Sequence, residues 1–107
     1  MTETEQPVLL AIDARGIATS RLNRPHKGNA YNDAMLEGLM AGLDQLRPDA
    51  AIRGLIIRGA GAHFQAGADI DWLAEVAAYP PEPAFAASLA TTEAMRKLNE
   101  FPNRPLP

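Results

Sequence analysis

The sequence contains no cysteine, which excludes disulfides, thiolate nucleophiles and thiolate metal sites together. It has two histidines, His26 and His63, far apart and each without a second ligand at helical or strand spacing, so no metal site is expected. No cluster of Lys or Arg stands out, and at a net charge of −3 the chain does not offer the many phosphate contacts on which nucleic-acid affinity rests. No apolar run approaches the roughly 20 residues needed to span a bilayer. The opening Met1-Thr2-Glu3-Thr4-Glu5-Gln6-Pro7 is polar and acidic, without the apolar core of a secretory signal. These absences predict a soluble, cytoplasmic protein with neither nucleic acid nor membrane as a partner.

What remains is a chain of 107 residues, 47% of them apolar, enough for one globular domain and not two. Residues 1–6 read as a disordered tail and 7–107 as the domain. Val8-Leu9-Leu10-Ala11-Ile12 and Ile17-Ala18-Thr19-Ser20-Arg21-Leu22 read as strands joined by the turn residues Asp13-Ala14-Arg15-Gly16, a β-hairpin. The alternation of the second strand leaves its buried face open.

Pro25 ends that strand and biases Arg24 to an extended conformation. Asn29 or Asn32 then caps a helix with Asp33 in its first turn. Leu36, Leu39, Met40, Leu43 and Leu46 recur at helical spacing. Gly38 and Gly42 are poor helix formers, which points to close packing against a neighbour. Arg47-Pro48-Asp49 stops the helix.

A third strand lies within 51–58. Leu55-Ile56-Ile57 is uniformly apolar, predicting a strand covered on both faces by helices. A short helix follows, with Ile70, Leu73 and Val76 or Ala77 on its apolar side. Tyr79-Pro80-Pro81-Glu82-Pro83 reads as an exposed break. A last helix runs from about Ala84 to Asn99 or Glu100, apolar at Phe85, Leu89, Met95 and Leu98. The order is strand, strand, helix, strand, helix, helix: one ββα unit and the start of another, with no further strand after the last helix.

The stretch Ala62-His63-Phe64-Gln65-Ala66-Gly67-Ala68-Asp69-Ile70-Asp71-Trp72 joins the third strand to its helix. Small side chains at Ala66, Gly67 and Ala68 allow another molecule close to the main chain. Amides at a helix N-terminus lack intrahelical acceptors, and the helix dipole adds positive charge there, a setting for a phosphate or a developing oxyanion. On residues alone, the same stretch also reads as an ordinary connection with Asp69 as its N-cap.

Asn23-Arg24-Pro25, followed by Asn29-Ala30-Tyr31-Asn32, resembles the opening of the enoyl-CoA hydratase/isomerase (crotonase) superfamily. Phe64-Gln65-Ala66-Gly67-Ala68-Asp69-Ile70 resembles that family's oxyanion-hole loop. The resemblance runs from about Val8 to Pro107 and corresponds to the N-terminal portion of a longer domain, a spiral of repeated ββα turns. The fold implied is therefore α/β, a partial crotonase-like ββα spiral, incomplete over 7–107. Trp72 after Asp71, with Arg96-Lys97-Leu98-Asn99, is most similar to the methylglutaconyl-CoA-type hydratases.

The resemblance implies chemistry on acyl-CoA thioesters, with coenzyme A as part of the substrate and no separate cofactor. Ala66 matches the position that supplies the first oxyanion amide, the catalytic donor. Gly67, Ala68, Asp69 and Ile70 match the wall that binds coenzyme A, and Lys27 and Ala30 match the other wall. On its residues alone Lys27 reads as a solvated loop lysine, and Asp69 as a cap rather than an acid. Gln65 departs from the small residue usual there. His63 and His26 read as loop residues, and Trp72 as a packing residue.

The second oxyanion amide and the catalytic glutamates of the family belong to segments that do not match this chain. Glu75, Glu82, Glu93 and Glu100 do not stand at those positions. The implied function is the N-terminal part of an enoyl-CoA hydratase/isomerase, inactive on its own. The alternative is a non-catalytic acyl-CoA binding or interaction module. The helices through which the family forms homo-oligomeric trimers and hexamers are likewise unmatched, so that assembly is not expected.

Overall fold

The computed structural model describes residues 6–101; apart from Gln6, the expected tail at 1–6 lies outside them. Strands β1 (Val8–Ile12) and β2 (Ile17–Leu22) form the expected antiparallel hairpin. Asp13 closes its turn, Oδ1 accepting from the amides of Arg15 and Ile17 at 2.8 and 3.1 Å. Gly16 has φ +84°, and a Cβ there would stand 2.2 Å from the Ala51 carbonyl oxygen, so the turn admits only glycine.

Helix α1 (Asp33–Leu46) is capped by Asn32, whose side chain accepts from the Met35 amide at 3.1 Å. Its buried stripe is Met35, Leu36, Leu39, Leu43 and Leu46, with Met40 half-buried. Gly38 meets β1 as expected: a Cβ there would lie 3.2 Å from Val8 Cγ2. At Gly42 the corresponding approach, to Leu10 Cδ2, is an ordinary 4.0 Å.

Strand β3 (Gly54–Gly59) pairs parallel with β2, giving the sheet order β1-β2-β3. A parallel neighbour needs a crossover, and α1 supplies it. Ala18, Ser20 and Leu22 are the buried residues of β2, which settles its inward face. Ala18 clusters there with Leu46 and Ile52, and with Leu10, Leu55 and Phe101 around them.

The expectation that β3 is covered on both faces is not met. It is an edge strand among the described residues, and Ile56 is 47% exposed. Helices cover one face of the sheet, so period-two alternation leaves Ile56 on the other side. A uniform apolar run cannot reveal which faces are covered.

Helix α2 (Ile70–Ala77) also turns differently from expectation. Ile70 is 80% exposed and Leu73 is exposed, whereas Trp72 is buried and Val76 half-buried. Trp72 has the largest side chain and decides which way so short a helix rolls. Its indole meets Tyr31 edge-on, with ring centroids 5.7 Å apart.

Helix α3 (Pro81–Asn99) begins inside the proline cluster, with Pro80 as N-cap. The stretch is a helix start rather than a break, because first-turn N–H groups have no intrahelical acceptor to lose. The inward residues of α3 are Ala87 and Ala94, which join Leu36 and Trp72 in one cluster. Phe85, Leu89 and Met95 are exposed instead. Small side chains let α3 close on α1, where Lys97 Nζ reaches Asp44 Oδ1 at 2.7 Å. No helix among the described residues is long and apolar enough to cross a membrane.

Candidate functional site

Because β2 and β3 run parallel, with Leu22 opposite Gly59, the loops that leave them emerge side by side. The Ala60 amide donates to the Leu22 carbonyl at 2.8 Å and starts the contact. Further along, the Tyr31 amide donates to the Gly67 carbonyl and the Asp69 amide to the Tyr31 carbonyl, each at 2.9 Å. This single parallel bridge, Tyr31 with Ala68, brings both sequence motifs to one place.

Asn29 fastens the loops from inside. It is fully buried and has φ +61°, a left-handed conformation that asparagine tolerates better than most residues. Its Oδ1 accepts from the Arg24 amide at 2.8 Å, and its Nδ2 donates to the Ala60 and His63 carbonyls at 2.9 and 2.7 Å. The sequence offered Asn29 or Asn32 as the cap of α1; the cap is Asn32, and Asn29 is a loop tie.

A second tie is ionic. Arg24 Nη1 donates to Asp69 Oδ2 at 3.0 Å and to the Ala30 carbonyl at 2.6 Å, with both charged side chains buried. The other oxygen of Asp69 caps α2, accepting from the amides of Asp71 and Trp72 at 2.8 and 3.2 Å. Burial opposes ionisation of Asp69, but the Arg24 guanidinium and these amides outweigh it and hold the carboxyl below its ordinary value. The cap expected of Asp69 is present. Its pairing with Arg24 had no local signal, since the two stand 45 residues apart.

These contacts narrow the idea of a free helix N-terminus. The amides of Asp69, Asp71 and Trp72 are already engaged. The Ala66 amide, like those of Gly67, Ala68 and Ile70, has no acceptor among the described residues. Ala66 lines a cleft of about 390 Å³ with Lys27, Ala30, Ala68, Asp69, Ile70 and Asp71. Of the positions matched to the oxyanion amide and the two coenzyme A walls, all but Gly67 line that cleft. Gly67 has φ +94°, its carbonyl is taken by Tyr31, and a Cβ there would meet nothing within 4 Å.

Lys27 is exposed, and its Nζ lies 3.1 Å from Asp71 Oδ2. Gln65 and both histidines are exposed. No group of three or more potential ligands capable of holding a metal ion occurs among the described residues. A separate groove of about 300 Å³, between β3 and the end of α3, is lined mainly by Ile52, Leu55, Ile57, Leu98 and Phe101. Among the described residues it carries no nucleophile or carboxylate.

The family model described as enoyl-CoA hydratase/isomerase matches residues 13–100. A probable enoyl-CoA hydratase of Mycobacterium tuberculosis is 35% identical over 77 residues, covering 72% of this chain and 30% of that protein. A putative enoyl-CoA hydratase of Thermus thermophilus is 27% identical, over 88% of this chain and 37% of the other. The chain thus spans about a third of the length of these curated relatives. A solved structure from Legionella pneumophila, described as a putative enoyl-CoA hydratase/isomerase (crotonase), superposes with a TM-score of 0.79 at 27% identity, covering 86% of this chain and 35% of that one. The expected mixed α/β architecture is that of part of the crotonase fold.

Proposed function

Because the chain belongs to the enoyl-CoA hydratase/isomerase family, we propose that the cleft beside Ala66 receives the thioester of an acyl-CoA, and that the Ala66 amide is one donor of an oxyanion hole. The observation that carries this proposal is the Ala66 N–H, without an acceptor among the described residues, in the wall of a cleft where the amides of Lys27, Ala30, Asp69 and Asp71 are engaged and those of Ala68 and Ile70 are open like it.

As an enolate forms, or as water adds at the β-carbon, charge moves onto the thioester oxygen. A fixed amide aimed at that oxygen stabilises the transition state more than the ground state. One such donor is worth about 3–4 kcal/mol of barrier. The cleft wall around Ala68 and Ile70, with Ala30 and Lys27 facing it, accommodates the coenzyme A portion, which is carried by the substrate rather than held as a separate cofactor.

The two carboxylates that line the cleft are Asp69 and Asp71. Asp69 is committed to Arg24 and the helix cap, and Asp71 faces Lys27 in an exposed pair. General acid/base work needs a carboxylate within hydrogen-bond reach of the transferred proton, and no described residue is assigned that task. The 107-residue chain alone is therefore expected to bind acyl-CoA without appreciable hydration or isomerisation.

The test is ¹⁵N–¹H NMR of the chain titrated with butyryl-CoA and, separately, with free coenzyme A. The amides of Ala68 and Ile70 are expected to move with both ligands. The Ala66 amide is expected to move further downfield with the thioester, because only the thioester brings an acyl carbonyl on the sulfur. Ala66→Pro removes the donor and its resonance together, so it is read by calorimetry, where it should narrow the difference in affinity between the two ligands. An Ala66 resonance indifferent to the acyl group, while its neighbours respond, would overturn the oxyanion assignment. Turnover of crotonyl-CoA comparable to that of a full-length relative would overturn the expectation of inactivity.

A further inference from the structure

Lys27 and Asp71 come from different walls of the cleft, one from the loop after β2 and the other from the first turn of α2. Their charged ends meet 3.1 Å apart. A second cavity, of about 470 Å³, adjoins the first and shares Lys27, Asp69 and Asp71 with it. The ion pair stands where the two hollows meet. Just inward lies the Arg24–Asp69 pair, which is buried and fixed by further hydrogen bonds. The outer pair is different, because the Lys27 and Asp71 side chains keep 42% and 79% of their exposure. An ion pair this wet is weak and exchanges partners readily.

Among the described residues, Lys27 is the only cation that lines the Ala66 cleft. An anionic group arriving there finds it already engaged, with a carboxylate alongside. We propose that Asp71 is a specificity-determining residue that competes with the ligand's phosphates for Lys27, a proposal resting on the acyl-CoA assignment of the same cleft. Its carboxylate weakens the advantage of phosphate-bearing thioesters over phosphate-free pantetheine thioesters. Lys27 holds a compact charge on a flexible stem and can swing from carboxylate to phosphate without moving the backbone. Asp71 thus sets how much the nucleotide end of the ligand contributes to binding, and leaves the thioester end untouched.

Calorimetric titration of the full chain at low salt tests this with two probes, coenzyme A and S-acetyl-pantetheine, which carries no phosphate. Asp71→Asn keeps the side-chain shape and is expected to tighten coenzyme A about two- to fivefold, the range of an exposed ion pair. Acetyl-pantetheine should be unaffected. Lys27→Met should weaken coenzyme A alone, and adding Asp71→Asn to it should restore little. The Asp71→Asn gain should also fade in high salt.

An equal effect of Asp71→Asn on both probes, or none on either, overturns the proposal, as does a full gain that persists without Lys27. Failure of the wild-type chain to bind either probe would defeat the acyl-CoA assignment itself, and this proposal with it. Binding of both probes without an Asp71 effect defeats only the proposal.

Discussion

Arg24 Nη1 and Asp69 Oδ2 lie 3.0 Å apart with both side chains buried, and they join the loop after β2 to the helix that follows β3. Removing one partner strands a charge away from water, which costs far more than the pair contributes when intact. Arg24→Met is therefore expected to destabilise the fold by about 3 kcal/mol or more. Arg24→Met combined with Asp69→Asn should recover part of that loss, because the stranded charge goes and Asn still caps α2. Urea unfolding of the wild-type chain and the two variants measures both effects.

The same carboxylate sets an acid limit. The carboxyl of Asp69 is held below its ordinary value, as are those of Asp13, Asp44 and Glu93, each beside a cationic partner. The unfolded chain therefore binds more protons than the native one between the two pKa values, and stability rises with pH across that interval. Urea midpoints are expected to be level above about pH 5 and to fall below about pH 4, where unfolded carboxylates begin to protonate. In Asp69→Asn the fall should be shallower, starting from a lower plateau.

Asn29 serves three main-chain groups from a left-handed backbone. Asn29→Gly preserves the backbone geometry and loses every one of those bonds; Asn29→Ala loses the bonds and adds strain. Both variants should unfold earlier than wild type, Ala before Gly, with Asn29→Gly costing about 2–3 kcal/mol from buried groups left unpaired. A Gly variant as stable as wild type would mean that the tie contributes little.

Two glycines near the site should respond differently to Ala substitution. At Gly59 a Cβ would come within 2.4 Å of the His63 carbonyl and 2.5 Å of the Phe64 carbonyl, so the backbone just before Ala66 must shift. At Gly67 the space is open and only the positive φ is strained, at about 1–2 kcal/mol. Gly59→Ala is expected to weaken coenzyme A binding as well as stability. Gly67→Ala should lower stability with a smaller effect on affinity. Calorimetry and thermal melts on both variants separate the two outcomes.

The hairpin, the capped helix with its leucine stripe, and the small-residue loop opening α2 were legible because each depends on neighbours within a few residues. Asp13, Asn32 and Asp69 state their turns and caps locally, and the family motifs marked the two loops. The facing of the later elements was not legible. Trp72, rather than Ile70 and Leu73, goes inward because α2 rolls to meet Leu36 and Ala94, partners from distant parts of the chain. Ala87 and Ala94 are inward on α3 because close approach to α1 favours small side chains over Phe85 and Leu89. Arg24 and Asn29 showed no sign of joining two loops, since their partners become neighbours only once β2 and β3 pair in parallel.

The parallel bridge between Tyr31 and Ala68 makes the two cleft walls mechanically one. Peeling the segment at Tyr31 away necessarily releases the amide of Asp69 and the carbonyl of Gly67, so neither wall can breathe alone. Exchange of the Tyr31 and Asp69 amide hydrogens with solvent should thus proceed as a single concerted event, and whatever ligand fills the space between the walls must slow both by the same factor.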